Sequence, residues 1–478
     1  MGFRFGTIKS PIMMKRIFLW WIVLFWIPKL TMSQCWTQVS AGDYHTVALR
    51  KHTSDANRKT VWAFGFNGFG AMGTGANSNQ PAVVGSHETW VKVASGLAQT
   101  LAIRQDGTLW GWGYNGKGQL GNGSYTNEST PAQIGNATWT DVVVTSAGHA
   151  AGIQTNGSLW TWGENLLGTL GVGNTTNTNS PTQVAGSWRK VAVGNTHTVA
   201  LKTDGTLWAW GNNNDGQLGA GNSVGQSLSP RQVGAATDWV DITAGWAHNL
   251  AIKADGSLWA WGYNSSGQLG DGSTTTRFEP VKIGTATDWR TVSSFEYHNL
   301  ALKTDGSLWT WGFNGSGQLG DGTTTPRLAP APVGNLKTWT QISAGRNHSA
   351  ALQTDGTLWV WGNNSNGQLG LGQTSVGTNV LTAQQVTCPG GSVATEDEHP
   401  TVYAIDVYPN PSQGVFRVHV QDDQPATLRV YSMLGRLVWQ ADQVSGTQTL
   451  HLTGLAKGVY NLHVSTRNGA QTERLVIR

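Results

Sequence analysis

The chain of 478 residues carries 63 glycines and 25 tryptophans but only 12% charged residues, a balance that excludes a coiled coil and a charged disordered chain. Its formal charge of +4 sits at the front, where residues 1–35 hold five Lys/Arg and no acid, while the body is balanced. A neutral body has no cationic surplus with which to displace phosphate counterions, so composition argues against nucleic acid as a partner.

In chain order, Lys15-Arg16 precedes an unbroken apolar run from Ile17 to Ile27, then Pro28 and the small-residue stretch Thr31-Met32-Ser33. This is the layout of a signal peptide over residues 1–33, cleaved after Ser33. The run is too short for the roughly 20 residues that a helix needs to cross a bilayer, so no integral membrane span is expected.

From Trp36 the chain repeats, with the opening tryptophan recurring at 90, 139, 188, 239, 289 and 339. Each unit reads as a Trp-x-x-Val/Ile strand, a Gly-x-x-His-x-x-Ala-Leu/Ile strand, an Asp-Gly turn, a Leu-Trp-x-Trp-Gly strand and a Gly-Gln-Leu-Gly loop. Asp-Gly between alternating strands predicts a type I′ hairpin. Six units carry it or a near-equivalent, at Asp106, Asn156, Asp204, Asp255, Asp305 and Asp355, while the first unit has a longer polar excursion from Lys51 to Thr60. A sheet unit of this size cannot bury its faces alone, and seven of them close into a β-propeller with protected edges. The paired tryptophans of Leu-Trp-x-Trp fall on one strand face and are expected as the packing layer between blades, with carbohydrate stacking as the alternative.

Units such as Gly194-Asn195-Thr196-His197-Thr198-Val199-Ala200-Leu201, continuing to Gly211, resemble the repeats of the regulator of chromosome condensation family. The resemblance implies a seven-bladed propeller over residues 34–388. The family's eukaryotic founder exchanges nucleotide on a small GTPase and docks on nucleosomes through an inserted wedge and basic surfaces. This sequence shows neither feature, so neither activity carries over. Secreted bacterial propellers with similar repeats include a β-lactamase inhibitor that binds its target through loop aromatics on one face, and that is the nearer analogy.

Residues 389–400 read as a glycine, acid and proline linker, after which residues 401–478 show short alternating strands typical of a small antiparallel sandwich. Tyr408-Pro409-Asn410-Pro411, with Gly414 and Phe416, then Gly435, and then Gly458 and Tyr460, resembles the type A sorting domain of type IX secretion in the Bacteroidota. That resemblance implies export to the periplasm, recognition by the outer-membrane secretion machinery, and a secreted or surface-attached product. An accessory sugar-binding sandwich is the alternative. The whole is thus expected to be all-β, a seven-bladed propeller followed by a C-terminal β-sandwich.

Histidine recurs once per unit at 45, 149, 197, 248, 298 and 348, with Gln99 in the remaining place. Catalysis needs different groups in different roles, so one residue repeated by blade is expected to bond structurally. Neither paired cysteines nor metal-type histidine spacing is present, and no metal or cofactor is expected. The recurring Gly-x-Asn-Gly segments lack the Lys-Ser/Thr of a phosphate loop, and Asp271-Gly272-Ser273 and Asp321-Gly322-Thr323 lack the terminal Glu of a calcium loop. No carboxylate pair stands out from the repeat, and no enzymatic activity is expected.

Function is sought where the repeats disagree. The two residues before each repeat histidine include Asp43-Tyr44, Ala147-Gly148, Trp246-Ala247, Glu296-Tyr297 and Arg346-Asn347, and the position after Trp-Gly includes Phe66, Tyr114, Tyr263 and Phe313. Equivalent positions lie at equal height around a propeller, so Tyr44, Phe66, Tyr114, Trp246, Tyr263, Glu296, Tyr297, Phe313 and Arg346 form a candidate partner-binding rim. Tolerated loop variation is the alternative. The expected function is a non-enzymatic exported scaffold that binds an extracellular protein, with cell-envelope glycan binding or hydrolysis as the other reading. Because a closed propeller brings its ends together, Cys35 and Cys388, which flank the array, are expected to form a disulfide on the oxidising route out of the cell.

Overall fold

The computed structural model describes residues 35–52, 57–85, 89–222, 225–372, 378–389, 405–408, 410–420, 426–432, 436–444, 446–466 and 469–478. The expected signal peptide and most of the expected linker lie outside the described residues, as do Pro409 and Gly435. Two compact units divide the chain, one of Val61–Cys388 with the residues up to Arg50, the other of Pro389–Arg478 with Lys51–Thr60.

The first unit is a seven-bladed propeller. Blade one is a sheet of Trp36–Ala41, His45–Lys51, Lys59–Gly65 and Ser78–Val83, antiparallel and in chain order. Blades four to seven repeat this arrangement from Trp188, Trp239, Trp289 and Trp339. Blades two and three are fused, because one long strand, Glu128–Val144, pairs with blade two through Gln133 and with blade three from Trp139 onward. Every blade therefore takes its strands from consecutive sequence, and none borrows a strand to close the ring.

Closure is instead made by side chains, by backbone hydrogen bonds such as Trp36 N to Gly356 O at 3.0 Å and Arg346 N to Gly42 O at 3.1 Å, and by a disulfide. Ala41 donates its amide to Ser343 Oγ at 2.9 Å between blades one and seven, the counterpart of Ser95 to Ser40 at 3.0 Å between two and one. Cys35 and Cys388 are bonded with their Cα atoms 6.2 Å apart, and both join the core in which Trp36, Val39 and Phe64 pack on Leu352, Leu358 and Val386.

Within each blade, burial falls from axis to rim. The second strand is almost wholly buried, as in His197–Lys202, whereas the fourth, as in Gln226–Gln232, is largely exposed. The two tryptophans of Leu-Trp-x-Trp share a face but differ in burial. Trp210 is fully buried and its indole donates to Thr169 O of the preceding blade at 2.8 Å. Trp261, Trp311 and Trp361 do the same to Gln217, Gln268 and Gln318. Trp208 is half-buried, but Lys202 Nζ lies 3.6 Å from its ring centre and Arg104 caps Trp110 equally closely. Where a cation covers the ring in this way, as on Trp110 and Trp208, that ring packs blades and offers no open stacking platform.

The hairpins differ from the expected type I′ turn. Gly107 has φ 83° and its amide bonds to Arg104 O, but Asp106 is not in the left-handed region. This is a three-residue loop, a type I turn followed by a left-handed glycine. The aspartate serves another purpose, since its carboxylate accepts from the amide and hydroxyl of Thr108 at 2.9 and 2.7 Å.

The second unit is a two-sheet sandwich. One sheet is Ile405–Tyr408, Val415–Val420 and Gly446–His451; the other is Leu437–Val444, Ala426–Ser432, Gly458–Thr466 and Gly469–Ile477. Phe416, Val418, Leu428, Val430, Leu450, Leu462 and Leu475 form its core. Asn410 bridges to the last strand by donating to Arg474 O and accepting from the Val476 amide, and Tyr460 donates to Ala456 O.

The candidate site at the axial mouth

The repeat histidines form a belt around the axis. His197 meets Asn249 at 2.8 Å, His248 meets Asn299, His298 meets Ser349, His348 meets Thr46, His45 meets Thr100 and His149 meets Thr198. Each partner is the residue that follows the histidine place in the next blade. Those hydroxyls spend their one proton on a loop carbonyl, as Thr46 does on Gln368 O and Ser349 on Gln318 O, so they accept from histidine. Asn249 and Asn299 present their carbonyl oxygens to the same end. The donor is thus Nε2–H throughout, which leaves Nδ1 as a bare acceptor. Burial holds all six rings neutral, pushing them down to about 3 or 4. In blades four, five and seven the glycine three residues earlier makes room for the ring, since a Cβ on Gly194, Gly245 or Gly345 would lie 2.2–2.5 Å from Cε1 of its histidine.

Blade two departs from the belt for a local reason. The place that would accept its histidine is Ala150, which has no hydrogen-bonding side chain. Gln99 reaches past it, donating to Thr145 O at 2.9 Å and accepting from the Ala98 amide at 3.0 Å.

Above this belt the loops joining first to second strands surround a cavity of about 560 Å³. Six of the sequence-predicted rim residues line it, namely Trp246, Tyr263, Glu296, Tyr297, Phe313 and Arg346. Tyr44 joins through Arg346, whose Nη1 donates to its hydroxyl at 2.7 Å, and Phe66 packs edge-on against Tyr44. Tyr114 is set apart, paired with the exposed Phe69. All of these are half-buried except Glu296, which is 8% exposed. Trp246, Tyr263 and Tyr297 form a wall, with ring centres 5.5 Å apart for Trp246 and Tyr297 and 5.8 Å for Trp246 and Tyr263.

The structure corrects the expectation that no carboxylate pair stands apart from the repeat, because Asp43 and Glu296 line the same cavity. Burial raises Asp43 to about 6, opposed by the Ser146 hydroxyl and Arg346. Burial, and then the Asp43 charge, raises Glu296 to about 7, and burial lifts the Tyr297 phenol to about 12. Ser146 donates to Asp43 at 2.5 Å, and Arg346 lies 3.5 Å from its other oxygen.

Ser146 also shows that blade three is irregular. Its tight turn closes from the Thr145 amide to His149 O, one residue longer than Gly194 to His197 O, so that Ser146 is the extra residue brought to the mouth. The sequence signal for it is the spacing of ten positions from Trp139 to His149, where every other blade has nine from its opening tryptophan to its histidine or to Gln99. A second signal passed over is the asparagine after each Trp-Gly-x. Asn115 shapes its loop by accepting from the Leu120 amide at 2.9 Å and donating to Thr126 O, as Asn264 and Asn314 do in theirs. Asp271 and Asp321 are filled by Arg277 and Arg327, and among the described residues no three His, Cys, Asp or Glu side chains converge as a metal set. No helix among the described residues is long and apolar enough to cross a membrane.

Comparison with known proteins agrees with this architecture. A model of the RCC1-like domain matches residues 27–294, more than half of the chain. Models of the regulator of chromosome condensation (RCC1) repeat match 305–352 and 355–392, with a further one over 339–368. A secretion system C-terminal sorting domain matches 406–478, which marks the chain for type IX secretion and a secreted or cell-surface location. Among solved structures, yeast RCC1 (Prp20) bound to Kap60 is 21% identical with a TM-score of 0.63, covering 70% of this chain and 85% of that one. Human WBSCR16 is 22% identical with a TM-score of 0.59, covering 67% and 88%. Prp20p from Saccharomyces cerevisiae, studied for its binding to Gsp1p and histones, is 22% identical with a TM-score of 0.63, covering 70% and 88%. At such identities the likeness concerns the fold.

Proposed function

We propose, from the premise that this chain belongs to the RCC1-like domain family, that it is a non-enzymatic binding scaffold that recognises an extracellular protein at the axial mouth. The sorting domain supports a place of action outside the cell, with the secretion machinery as the partner of the C-terminal unit. The observation that carries the reading is the convergence of Trp246, Tyr263, Glu296, Tyr297, Phe313 and Arg346 on one cavity. Half-buried aromatics around a concave polar centre are the usual anchors of a recognition surface. The disulfide joining Cys35 to Cys388 holds that ring together outside the cell.

A second reading, recognition or hydrolysis of a cell-envelope glycan, is favoured by the two carboxyls beside Trp246. One experiment separates the two. The full chain is used as bait on secreted and envelope proteins and on a glycan array, beside a Trp246→Ala/Tyr297→Ala variant of equal melting temperature. A protein captured by the parent and lost by the variant supports the protein scaffold. Binding to glycans, lost in the variant, moves the assignment to carbohydrate, and capture indifferent to both substitutions rejects the mouth.

A further inference from the structure

Glu296 is a buried carboxyl that lines the cavity without a cation of its own. Among the described residues no lysine, arginine or histidine nitrogen lies within 4.0 Å of it. The one nearby cation, Arg346, is engaged by Tyr44 at 2.7 Å and Asp43 at 3.5 Å. Asp43 adds a second carboxyl, so the charges around the cavity are one cation short of balance. Beside Glu296 stand Trp246, Tyr263 and Tyr297, with the two tyrosine ring centres 6.3 Å apart. Aromatic faces attract cations through their quadrupole, more strongly where water is excluded.

We infer that this cavity is a receptor for an alkylammonium group, the end of a lysine side chain on the protein partner, with its charge on Glu296 and its methylenes against Trp246, Tyr263 and Tyr297. The inference rests on the axial mouth being the recognition site. Both oxygens of Asp43 are already used, by Ser146 and Arg346, whereas Glu296 has the Ser146 hydroxyl and the Arg346 charge nearby but no cation in contact, so it is the carboxyl left for a compact charge. An ammonium carries three donors on a flexible stem and needs no planar, two-toothed partner, unlike a guanidinium. Its arrival would also relieve the repulsion between two carboxyls, which a neutral ligand would leave in place. The cavity of about 560 Å³ admits an extended side chain together with its peptide.

The binding should depend on pH. The groups facing Glu296 and its aromatic wall are Asp43, Arg346, Tyr263, Tyr297 and, beyond Tyr297, Asp215. The Tyr297 phenol, lifted to about 12, stays neutral from pH 5 to 8, and the lysine probe keeps its charge. Loss of binding on acidification therefore reports the carboxyls.

The test titrates the full chain with Nα-acetyl-lysine methylamide, following tryptophan fluorescence at pH 8, beside the Nε-acetylated form and choline. The expected result is saturable binding of the amine, at least about tenfold weaker binding of the acetylated form, and a similar loss in Glu296→Gln and at pH 6, above the acid unfolding of the propeller. Tyr297→Leu should weaken it severalfold through the wall. Equal binding of the acetylated form, or unaffected binding by a Glu296→Gln variant that melts no lower than the parent, overturns the inference. Choline binding tighter than the lysine derivative also overturns it, in favour of a free quaternary amine. A partner captured through Trp246 and Tyr297 but indifferent to Glu296→Gln would keep the recognition surface and remove the ammonium from it.

Discussion

Ser146 of blade three donates its hydroxyl to Asp43 of blade one at 2.5 Å, passing over the intervening blade. That bond is the fixed point of a site in which two buried carboxyls must share limited compensation. Asp43 rises from 3.8 to about 6 and Glu296 from 4.5 to about 7, burial being the first cause for both. A carboxyl raised in the folded state costs nothing below its unfolded value and its full penalty above its folded one. Glu296→Gln should therefore stabilise the propeller by about 1–3 kcal/mol at pH 8 and by roughly half as much at pH 6, where the fold is still intact. Thermal melts at the two pH values decide it, and an equal shift at both would contradict the assignment.

Acid should act on the histidine belt in the opposite sense. These rings titrate near 3 or 4 when folded and near 6.5 when free, so their contribution is complete above pH 6.5 and is lost as pH falls toward 4. Each histidine adds up to about 1.4 kcal/mol per pH unit in that window. Asp43 and Glu296 offset part of it, but six rings outweigh two carboxyls. A steep loss of the near-ultraviolet tryptophan signal between roughly pH 6 and pH 4 is expected. His298→Gln should move its midpoint to lower pH, and an unmoved midpoint would show that the belt does not govern acid unfolding.

The departure in blade two makes a paired prediction. Gln99→His would aim a ring nitrogen at Ala150, leaving a buried donor unsatisfied and costing about 1–3 kcal/mol. Ala150→Thr restores the hydroxyl that the other blades supply at that place, so the double variant should recover most of the loss. Denaturant unfolding of the four proteins gives the coupling energy directly. Additive effects would mean that the two places do not meet.

The disulfide spans 353 positions and closes the ring where no strand is shared. Chain entropy assigns about 6 kcal/mol to a loop of this length. Reduction, or a Cys35→Ser/Cys388→Ser variant, is expected to lower the melting temperature by roughly 5–10 °C. Identical melting with and without reductant would show that the contacts between blades one and seven close the ring by themselves.

The propeller was legible because its signals are local and recur. Opening tryptophans, Asp-Gly turns and Leu-Trp-x-Trp strands each report one blade, and their even spacing reports the ring. Turn type was misread because Asp-Gly fits two hairpin geometries, and only the backbone distinguishes a left-handed Asp106 from a left-handed Gly107 alone. The site was legible only as a list of disagreements. Trp246, Glu296, Tyr297 and Arg346 could be named from their places in the repeat, but Asp43 meets Glu296 only once the first blade returns beside the seventh. Ser146 was hidden further, since a single inserted residue shifts it out of register with the positions compared. Among the described sorting residues, Asn410 and Tyr460 acquire bonding partners from the sandwich, which no linear motif specifies.

Outside the cell a protein meets proteases, and here the bond between Cys35 and Cys388 has a topological consequence. Backbone and disulfide together make one covalent circle around the axis. A single cut in any inter-blade loop turns that circle into a line but releases no blade, so the mouth keeps all seven of its contributors. Only a second cut can free a segment, and reduction after one cut leaves two pieces held by packing alone.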